Sequence, residues 1–161
     1  MQIVPAHFDH PDALKLNEIV LQEYTVRYGD PEGDATPLDP SMFRPPRGLY
    51  LLAYDDEGRP VATGGWRSME RGEENYREGD AELKRMFVVP EARGLGLARR
   101  ILARLEEDAR EAGRLRVVLE TGIEQPEAIS LYTSSGYEPA PEKFGHYRFT
   151  KESRCYTKRL R

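Results

Sequence analysis

Short apolar segments separated by turn residues recur along the chain, and their pattern predicts strands. Segments 49–55 and 61–67 are rich in aliphatic and aromatic residues, and a turn containing Gly and Pro separates them, so an antiparallel hairpin is expected. Segment 81–89 begins with alternation and ends in an apolar run stopped by a proline, as is typical of a central strand. The valine-rich segment 115–120 predicts a further strand, and short terminal strands are expected at Tyr137 and 154–160.

Helical spacing of apolar residues appears in three other segments. In 11–28 the apolar positions include Leu16, Val20 and Tyr24, which lie on one face of a helix that Pro11 begins. Segment 96–112 carries the strongest pattern, with apolar residues at three- and four-residue intervals and charged residues between them. A shorter helix is expected from Pro126, ending at a Ser-Ser-Gly turn.

The order of these elements predicts the fold class. Strand 81–89, helix 96–112 and strand 115–120 form a strand–helix–strand unit, for which a right-handed crossover between parallel strands is expected. Adding the hairpin and the terminal strands gives an α/β fold with a mixed sheet. The 161 residues predict a single domain spanning 1–161.

Composition excludes several classes of protein. The chain has 24 Lys and Arg against 28 Asp and Glu, a net charge of −4, so no nucleic-acid partner is expected. It has no apolar run of bilayer length and no signal-peptide pattern, so we expect no membrane association and a cytoplasmic location. Cys155 is the only cysteine, which excludes an intrachain disulfide. The three histidines lack the neighbours of a metal site, so no metal is expected.

The most informative stretch is Arg93-Gly94-Leu95-Gly96-Leu97-Ala98, between a predicted strand and the start of the strongest helix. Glycines allow a ligand to approach the backbone closely, and the unpaired amides at a helix start attract an anion such as phosphate. The glycine spacing differs from that of dinucleotide-binding loops, and the Lys-Ser/Thr pair of a nucleotide P-loop is missing. A phosphate-binding loop of another kind is therefore expected.

This stretch resembles the pyrophosphate loop of the Gcn5-related N-acetyltransferase (GNAT) superfamily. The loop of that superfamily reads Arg or Gln, two residues, Gly, one residue, then Gly or Ala, and Arg93-x-x-Gly96-x-Ala98 fits it. Further along, 131–137 resembles the family's LY-x-x-x-G-(F/Y) segment. The flanking strand and helix also follow the family's order, so the resemblance covers roughly 49–137.

The resemblance implies a sheet of about six to seven strands flanked by about four helices. Its fourth and fifth strands, here 81–89 and 115–120, would splay apart and admit acetyl-CoA. Main-chain groups of Met86, Phe87 and Val88 would hold the pantetheine arm and polarise the acetyl carbonyl. Main-chain amides of the following residues would hold the pyrophosphate: Arg93, Gly94, Leu95, Gly96, Leu97, Ala98 and Arg99. Many members have an Asn contacting CoA near the start of the short helix, and Gln125 stands there.

The same resemblance implies direct acetyl transfer to an amine, which needs a base and an acid. Tyr132 matches the family tyrosine that lies near the CoA sulfur and is the candidate acid. Two carboxylates are candidate bases: Glu82 corresponds to the glutamate of histone-type members, and Glu120 to that of ribosomal-protein-type members. Glu82 is the preferred of the two.

The expected acceptor is a small primary amine, such as an amino acid, a polyamine or an amine-bearing antibiotic. Acetylation of a protein amino terminus or lysine is one alternative, and a non-catalytic acyl-CoA-binding module is another. Segments 36–46, 69–79 and 143–147 are the candidate walls of the acceptor pocket, on position alone. A homodimer is common among proteins that resemble this one.

Overall fold

The computed structural model describes residues 1–28, 37–72, 74–122, 126–151 and 153–161. Seven strands and three α-helices occur in this part of the chain, beside two short 3-10 turns at Pro40–Phe43 and Pro90–Ala92. The order is β1 (Gln2–Pro5), α1 (Pro11–Tyr28), β2 (Gly48–Tyr54), β3 (Pro60–Met69), β4 (Asp80–Val88), α2 (Leu97–Glu111), β5 (Arg116–Gly122), α3 (Pro126–Ser134), β6 (Glu138–Pro139) and β7 (Ser153–Arg159).

All seven strands join in one mixed sheet with the order β1-β2-β3-β4-β5-β7-β6. β1 to β4 pair antiparallel, β4 and β5 pair parallel, and β7 pairs antiparallel with both β5 and β6. The expected mixed α/β sheet with a parallel pair across α2 is confirmed. The described residues contain three α-helices, where about four were expected.

Two adjacent glycines in β3 show how the helices cover the two faces of the sheet. A Cβ on Gly64 would collide with Met86 and with Ile101 of α2, whereas one on Gly65 would collide with Tyr50 and Phe43. Successive residues of a strand face opposite sides, so α2 packs tightly on one face. On the other face, α1 lies over β2, where the hydroxyl of Tyr50 reaches the side chain of Asn17.

A buried ion pair fixes the start of the parallel ladder. Asp80 and Arg116 are Cα partners at the first position of the β4–β5 pairing. The carboxylate of Asp80 accepts two hydrogen bonds of 2.8 Å from the Arg116 guanidinium, and it is almost fully buried. This two-bonded geometry has strong directional preference, so it sets the register from which the two strands run.

Candidate active site

β4 and β5 separate after three paired positions. Only Asp80, Ala81 and Glu82 of β4 have partners in β5, although β4 continues to Val88 and β5 to Gly122. Residues 80–84 of β4 are buried, and residues 85–88 become half-exposed beyond the parting point. The predicted splay of the fourth and fifth strands is therefore confirmed, and it leaves one edge of β4 open.

A β-bulge sits at this open edge. Thr63 pairs with Phe87 but Gly65 pairs with Lys84, so β4 has one residue more than β3 over this interval. Arg85 lies within it and has a φ of 61°, in the left-handed region. A bulge of this kind turns the local backbone and redirects its groups.

Strand alternation then decides which main-chain groups point outward. The N–H of Val89 donates to the C=O of Val61 in β3 (2.9 Å), and Phe87 is the Cα partner of Thr63. Because main-chain groups alternate sides along a strand, those of Met86 and Val88 point to the edge that β5 has left. The side chain of Arg93 uses this edge, since its Nε donates to the C=O of Val88 (3.0 Å).

The glycine loop lies at the end of this edge and leads directly into α2. Gly94 and Gly96 have φ values of 81° and 79°, a conformation that favours glycine. A Cβ added to either glycine would meet no heavy atom within 4 Å, so the backbone borders open space. The exposed side chain of Leu95 lies between them.

The first turn of α2 directs amides toward the same loop. The N–H of Arg100 donates to the C=O of Gly96 (3.1 Å) as the first bond of the helix. The N–H groups of Leu97, Ala98 and Arg99 therefore precede the helical ladder and point out of its start, where the helix dipole attracts an anion. These features fit the diphosphate of a coenzyme A molecule. Gln125 lies outside the described residues.

Glu82 is fully buried, with 0% of its surface exposed. Its Oε1 accepts a hydrogen bond from Arg67 Nε (2.7 Å), and its Oε2 accepts one from the hydroxyl of Tyr76. Burial and the charge of Glu82 raise the pKa of Tyr76, so its hydroxyl stays protonated and keeps donating. Arg67 and Tyr76 are site residues that sequence reasoning missed, although Arg67 is the cross-strand partner of Glu82.

Glu120 occupies a different environment on the same face of the sheet. Val118 is the β5 partner of Glu82, and Glu120 lies two residues further along β5, so all three side chains share one face. Glu120 is half-buried as a residue, although its Oε1 atom is enclosed by the protein. Its Oε2 accepts a hydrogen bond from the N–H of Tyr147 (3.1 Å). Gly145 lies directly against it, since a Cβ there would stand 2.0 Å from Glu120 Oε1.

Tyr132 lies on α3 and is 5% exposed. Its ring packs edge-on against Tyr137, with centroids 5.5 Å apart and an interplanar angle of 64°. Residue 137 is the last position of the segment that resembles the family motif. The thiol of Cys155 is also buried, and burial raises its pKa to about 11.

Two of the loops predicted to wall the acceptor pocket are joined in the structure. Glu74 accepts two hydrogen bonds from the other loop, one from Gly145 N–H to its C=O (2.9 Å) and one from Arg148 to its carboxylate (3.0 Å). Asn75 Nδ2 donates to the C=O of Lys143 (3.2 Å). The third predicted wall, 36–46, is described from residue 37 onward, and the C=O of Pro37 accepts a hydrogen bond from Arg67 (3.4 Å).

The described residues hold no helix with the length and apolar character of a membrane span. Within the same residues, no group of three His, Cys, Asp or Glu side chains is arranged to hold a metal ion.

Comparison with known proteins agrees with this geometry. The family model described as "Acetyltransferase (GNAT) family" matches residues 13–137. The chain belongs to this family. The class of enzyme expected from the resemblance, an N-acetyltransferase that uses acetyl-CoA, is thereby confirmed at the level of the family. A relative from Escherichia coli K12, the uncharacterized N-acetyltransferase YjgM, is 31% identical over 74% of this chain and 72% of its own.

Two other relatives of this GNAT chain carry names that include an acceptor. An IAA acetyltransferase of Azospirillum brasilense is 49% identical over 37% of this chain, and an aminoalkylphosphonate N-acetyltransferase of Salmonella typhimurium is 37% identical over 44% of it. The matched regions span only 39% and 42% of the lengths of these relatives.

Solved structures show the same fold. A protein from Klebsiella pneumoniae, described provisionally as an acyl-CoA N-acyltransferase, superposes with a TM-score of 0.77 and 27% identity over 99% of this chain and 97% of its own. An aminoglycoside 6'-N-acetyltransferase solved with coenzyme A has a TM-score of 0.67 and 13% identity, over 100% and 98% of the two chains. That protein, which has the same fold, was solved with coenzyme A bound.

Proposed function

We propose that this chain transfers the acetyl group of acetyl-CoA directly to the primary amine of a small molecule. The open edge of β4 carries the proposal, because it begins where β5 parts from it and ends at the glycine loop. That arrangement suits a ligand with an extended arm and a diphosphate.

The main chain would hold the donor. Acetyl-CoA would supply the activated acetyl group when bound. The N–H of Met86, fixed by the sheet, would donate to the acetyl oxygen as negative charge develops there, and a preorganised donor needs no rearrangement to do so. Val88 would pair with the pantetheine arm through its N–H, because its C=O accepts a hydrogen bond from Arg93 Nε. The amides of 94–99 would hold the diphosphate. The N–H of Arg93, which was expected to join them, donates instead to the C=O of Pro90 (3.3 Å). The main chain of Phe87 faces β3, so it is turned away from the open edge and would not hold the pantetheine arm as the resemblance implied.

We propose Glu120 as the base that takes the proton of the acceptor amine. Both oxygens of Glu82 accept hydrogen bonds from buried partners, so an amine would have to break the ion pair with Arg67 to reach it. Glu120 is more exposed and lies on the same face of the sheet. The role that the resemblance offered first to Glu82 thus suits Glu120 better, directly or through a water.

Tyr132 is the proposed acid. In the reaction the amine nitrogen forms a bond to the acyl carbon, and the carbon–sulfur bond breaks. The amine proton passes to Glu120, and the phenol of Tyr132 supplies the proton that the departing thiolate takes up. Each of these transfers needs only groups that this chain and its two substrates contain.

A small acceptor is supported by the contact between the loops 70–79 and 140–151. Their three hydrogen bonds, at Glu74 and Asn75, make one wall of the acceptor side continuous. The aminoalkylphosphonate named for the Salmonella relative is a small amine as well. A peptide needs an open groove, which a joined wall disfavours.

A thiol-release assay with acetyl-CoA and a panel of acceptors tests this proposal. The panel should hold amino acids, polyamines, an aminoglycoside, an aminoalkylphosphonate and peptides with a free amino terminus or a lysine. Release with a small amine supports the proposal, and release with peptides alone would replace it with the protein-acetylating alternative. Heat from CoA binding in calorimetry, without turnover of any acceptor, would favour the non-catalytic module.

The base is tested by the pH dependence of kcat/KM for Glu120→Gln and Glu82→Gln. Loss of a base removes the fall in rate at acid pH, because no group remains to be protonated there. We expect this acidic limb to vanish in Glu120→Gln and to persist in the folded Glu82→Gln enzyme. The reverse result would return the role to Glu82.

The remaining expectations stay predictions. They are one domain over 1–161, a cytoplasmic location and a homodimer. Light scattering coupled to size-exclusion chromatography measures the oligomeric state, and limited proteolysis tests for a single stable unit.

A further inference from the structure

A hydrogen-bonded group of three side chains lies next to Tyr132, with which it is in contact through the ring of Tyr137. The hydroxyl of Tyr137 donates to Glu106 Oε2 (2.7 Å), and Lys158 Nζ donates to Glu106 Oε1 (3.1 Å). Glu106 comes from α2, Tyr137 follows α3, and Lys158 comes from β7. Glu106 is buried, so its charge requires these partners.

This group also holds the end of α3. Lys158 Nζ donates a second hydrogen bond, of 2.9 Å, to the C=O of Ser135. The N–H groups of Ser135 and Tyr137 both donate to the C=O of Tyr132 (3.0 Å each). The main chain of Tyr132 is therefore closed into the same turn that Lys158 fixes.

The ring of Tyr137 forms a wall for the ring of Tyr132. The two rings meet edge to face, and Lys158 Nζ lies 5.6 Å from the centroid of the Tyr137 ring. Burial and the charge of Glu106 raise the pKa of Tyr137, so its hydroxyl keeps its proton and its hydrogen bond. The family motif accepts either Phe or Tyr here, and this chain has Tyr, whose hydroxyl donates to Glu106.

We infer that Glu106, Tyr137 and Lys158 are positioning residues that hold the phenol of Tyr132 in its catalytic orientation. The inference rests on the proposed role of Tyr132 as the acid. A proton donor must keep its distance and direction to the accepting atom. If the Tyr132 ring became mobile, the enzyme would therefore lose kcat without losing affinity for its substrates. Glu106 lies on the helix whose first turn would hold the diphosphate, so the same rigid element sets both.

The test uses Tyr137→Phe, which keeps the ring and removes only the hydroxyl. We expect kcat to fall about tenfold, with the KM for acetyl-CoA and the heat of CoA binding unchanged. Glu106→Gln should lower kcat in the same way. Glu107→Gln is its matched control, because Glu107 is the next residue of α2 and pairs with Arg110 at the surface. Glu107→Gln should keep the wild-type kcat.

A double variant separates positioning from a general structural role. Once Tyr132→Phe has removed the phenol, Tyr137→Phe should reduce kcat no further, because nothing remains to be positioned. If the two losses multiply instead, or if Tyr137→Phe alone keeps the wild-type kcat, the inference is overturned while the acid role stands. If Tyr132→Phe keeps the wild-type kcat, the acid role falls and the inference falls with it.

Discussion

Arg67 and Glu82 face each other across β3 and β4 and form a buried ion pair with 2.7 Å between Nε and Oε1. Neither side chain has more than 7% of its surface exposed. A buried charge that loses its partner is strongly destabilising, so this pair is first of all part of the fold.

We therefore predict that Glu82→Gln lowers the free energy of unfolding by about 3 kcal/mol, because the Arg67 charge is left buried without its counter-charge. Urea unfolding measures the change. The double variant Arg67→Met/Glu82→Met removes both charges and should lose less stability than Glu82→Gln. A larger loss in the double variant would contradict this account.

Gly145 should be indispensable to the proposed base. A Cβ at this position would stand 2.0 Å from Glu120 Oε1, so in Gly145→Ala the loop or the carboxylate has to move. We predict a fall in kcat of at least about tenfold. Gly58→Ala is the matched control: Gly58 also has a positive φ, of 78°, but its Cβ would meet open space. We expect kcat to fall in Gly145→Ala and to stay at the wild-type value in Gly58→Ala, and equal kcat values would separate Gly145 from the site.

Gly94 and Gly96 should matter for the donor and little for the fold. An alanine at either position costs about 1 kcal/mol in the left-handed conformation, and its methyl group would occupy the space beside the diphosphate. We predict a KM for acetyl-CoA about tenfold higher, from weakened amide–phosphate hydrogen bonds. Gly113→Ala, with a φ of 86° and open space at the other end of α2, should cost similar stability and leave this KM unchanged. A raised KM in that control would argue against a diphosphate at the loop.

The half-buried Tyr54 predicts a loss of stability at alkaline pH. Tyr54 donates to Asp12 Oδ2 (2.6 Å), and burial together with the Asp12 carboxylate raises its pKa to about 12. An unfolded tyrosine has a pKa of about 10, so the folded state holds the proton more tightly. This contribution is complete below pH 10 and is lost as the pH rises through 12. The urea midpoint should therefore fall less steeply over this range in Tyr54→Phe than in the wild type, and equal slopes would contradict the assignment.

Much of the proposed acetyl-CoA site could be predicted from the sequence, because its elements have local sequence patterns. The apolar run that ends β4, the glycines of the loop and the periodicity of α2 lie within about 30 consecutive residues, and each reports its own conformation. The sequence does not predict β1, because the four residues Gln2–Pro5 are too few for an alternating pattern to be recognised.

The proposed acceptor side, around Glu82 and Glu120, depends on contacts between residues far apart in the sequence. No local pattern predicts such contacts. The environment of Glu82 is set by Arg67, and that of Glu120 by Gly145 and Tyr147, which lie on a loop about 25 residues away. Identical residue types in the sequence thus have different surroundings: one glutamate is enclosed and the other is half-buried. Sequence reasoning could name both carboxylates as candidates but could not separate them.

The contrast between Gly64 and Gly65 has a practical consequence for redesign. One face of the sheet carries α2, and the other carries Glu82, Glu120 and the loops that touch them. The residues proposed to bind acetyl-CoA are therefore separate from the loops proposed to select the amine. The two groups share only the backbone of β4 and β5. Replacing the loops 70–79 and 140–151 by those of a relative should therefore change the acceptor specificity to that of the relative. The affinity for coenzyme A should stay the same.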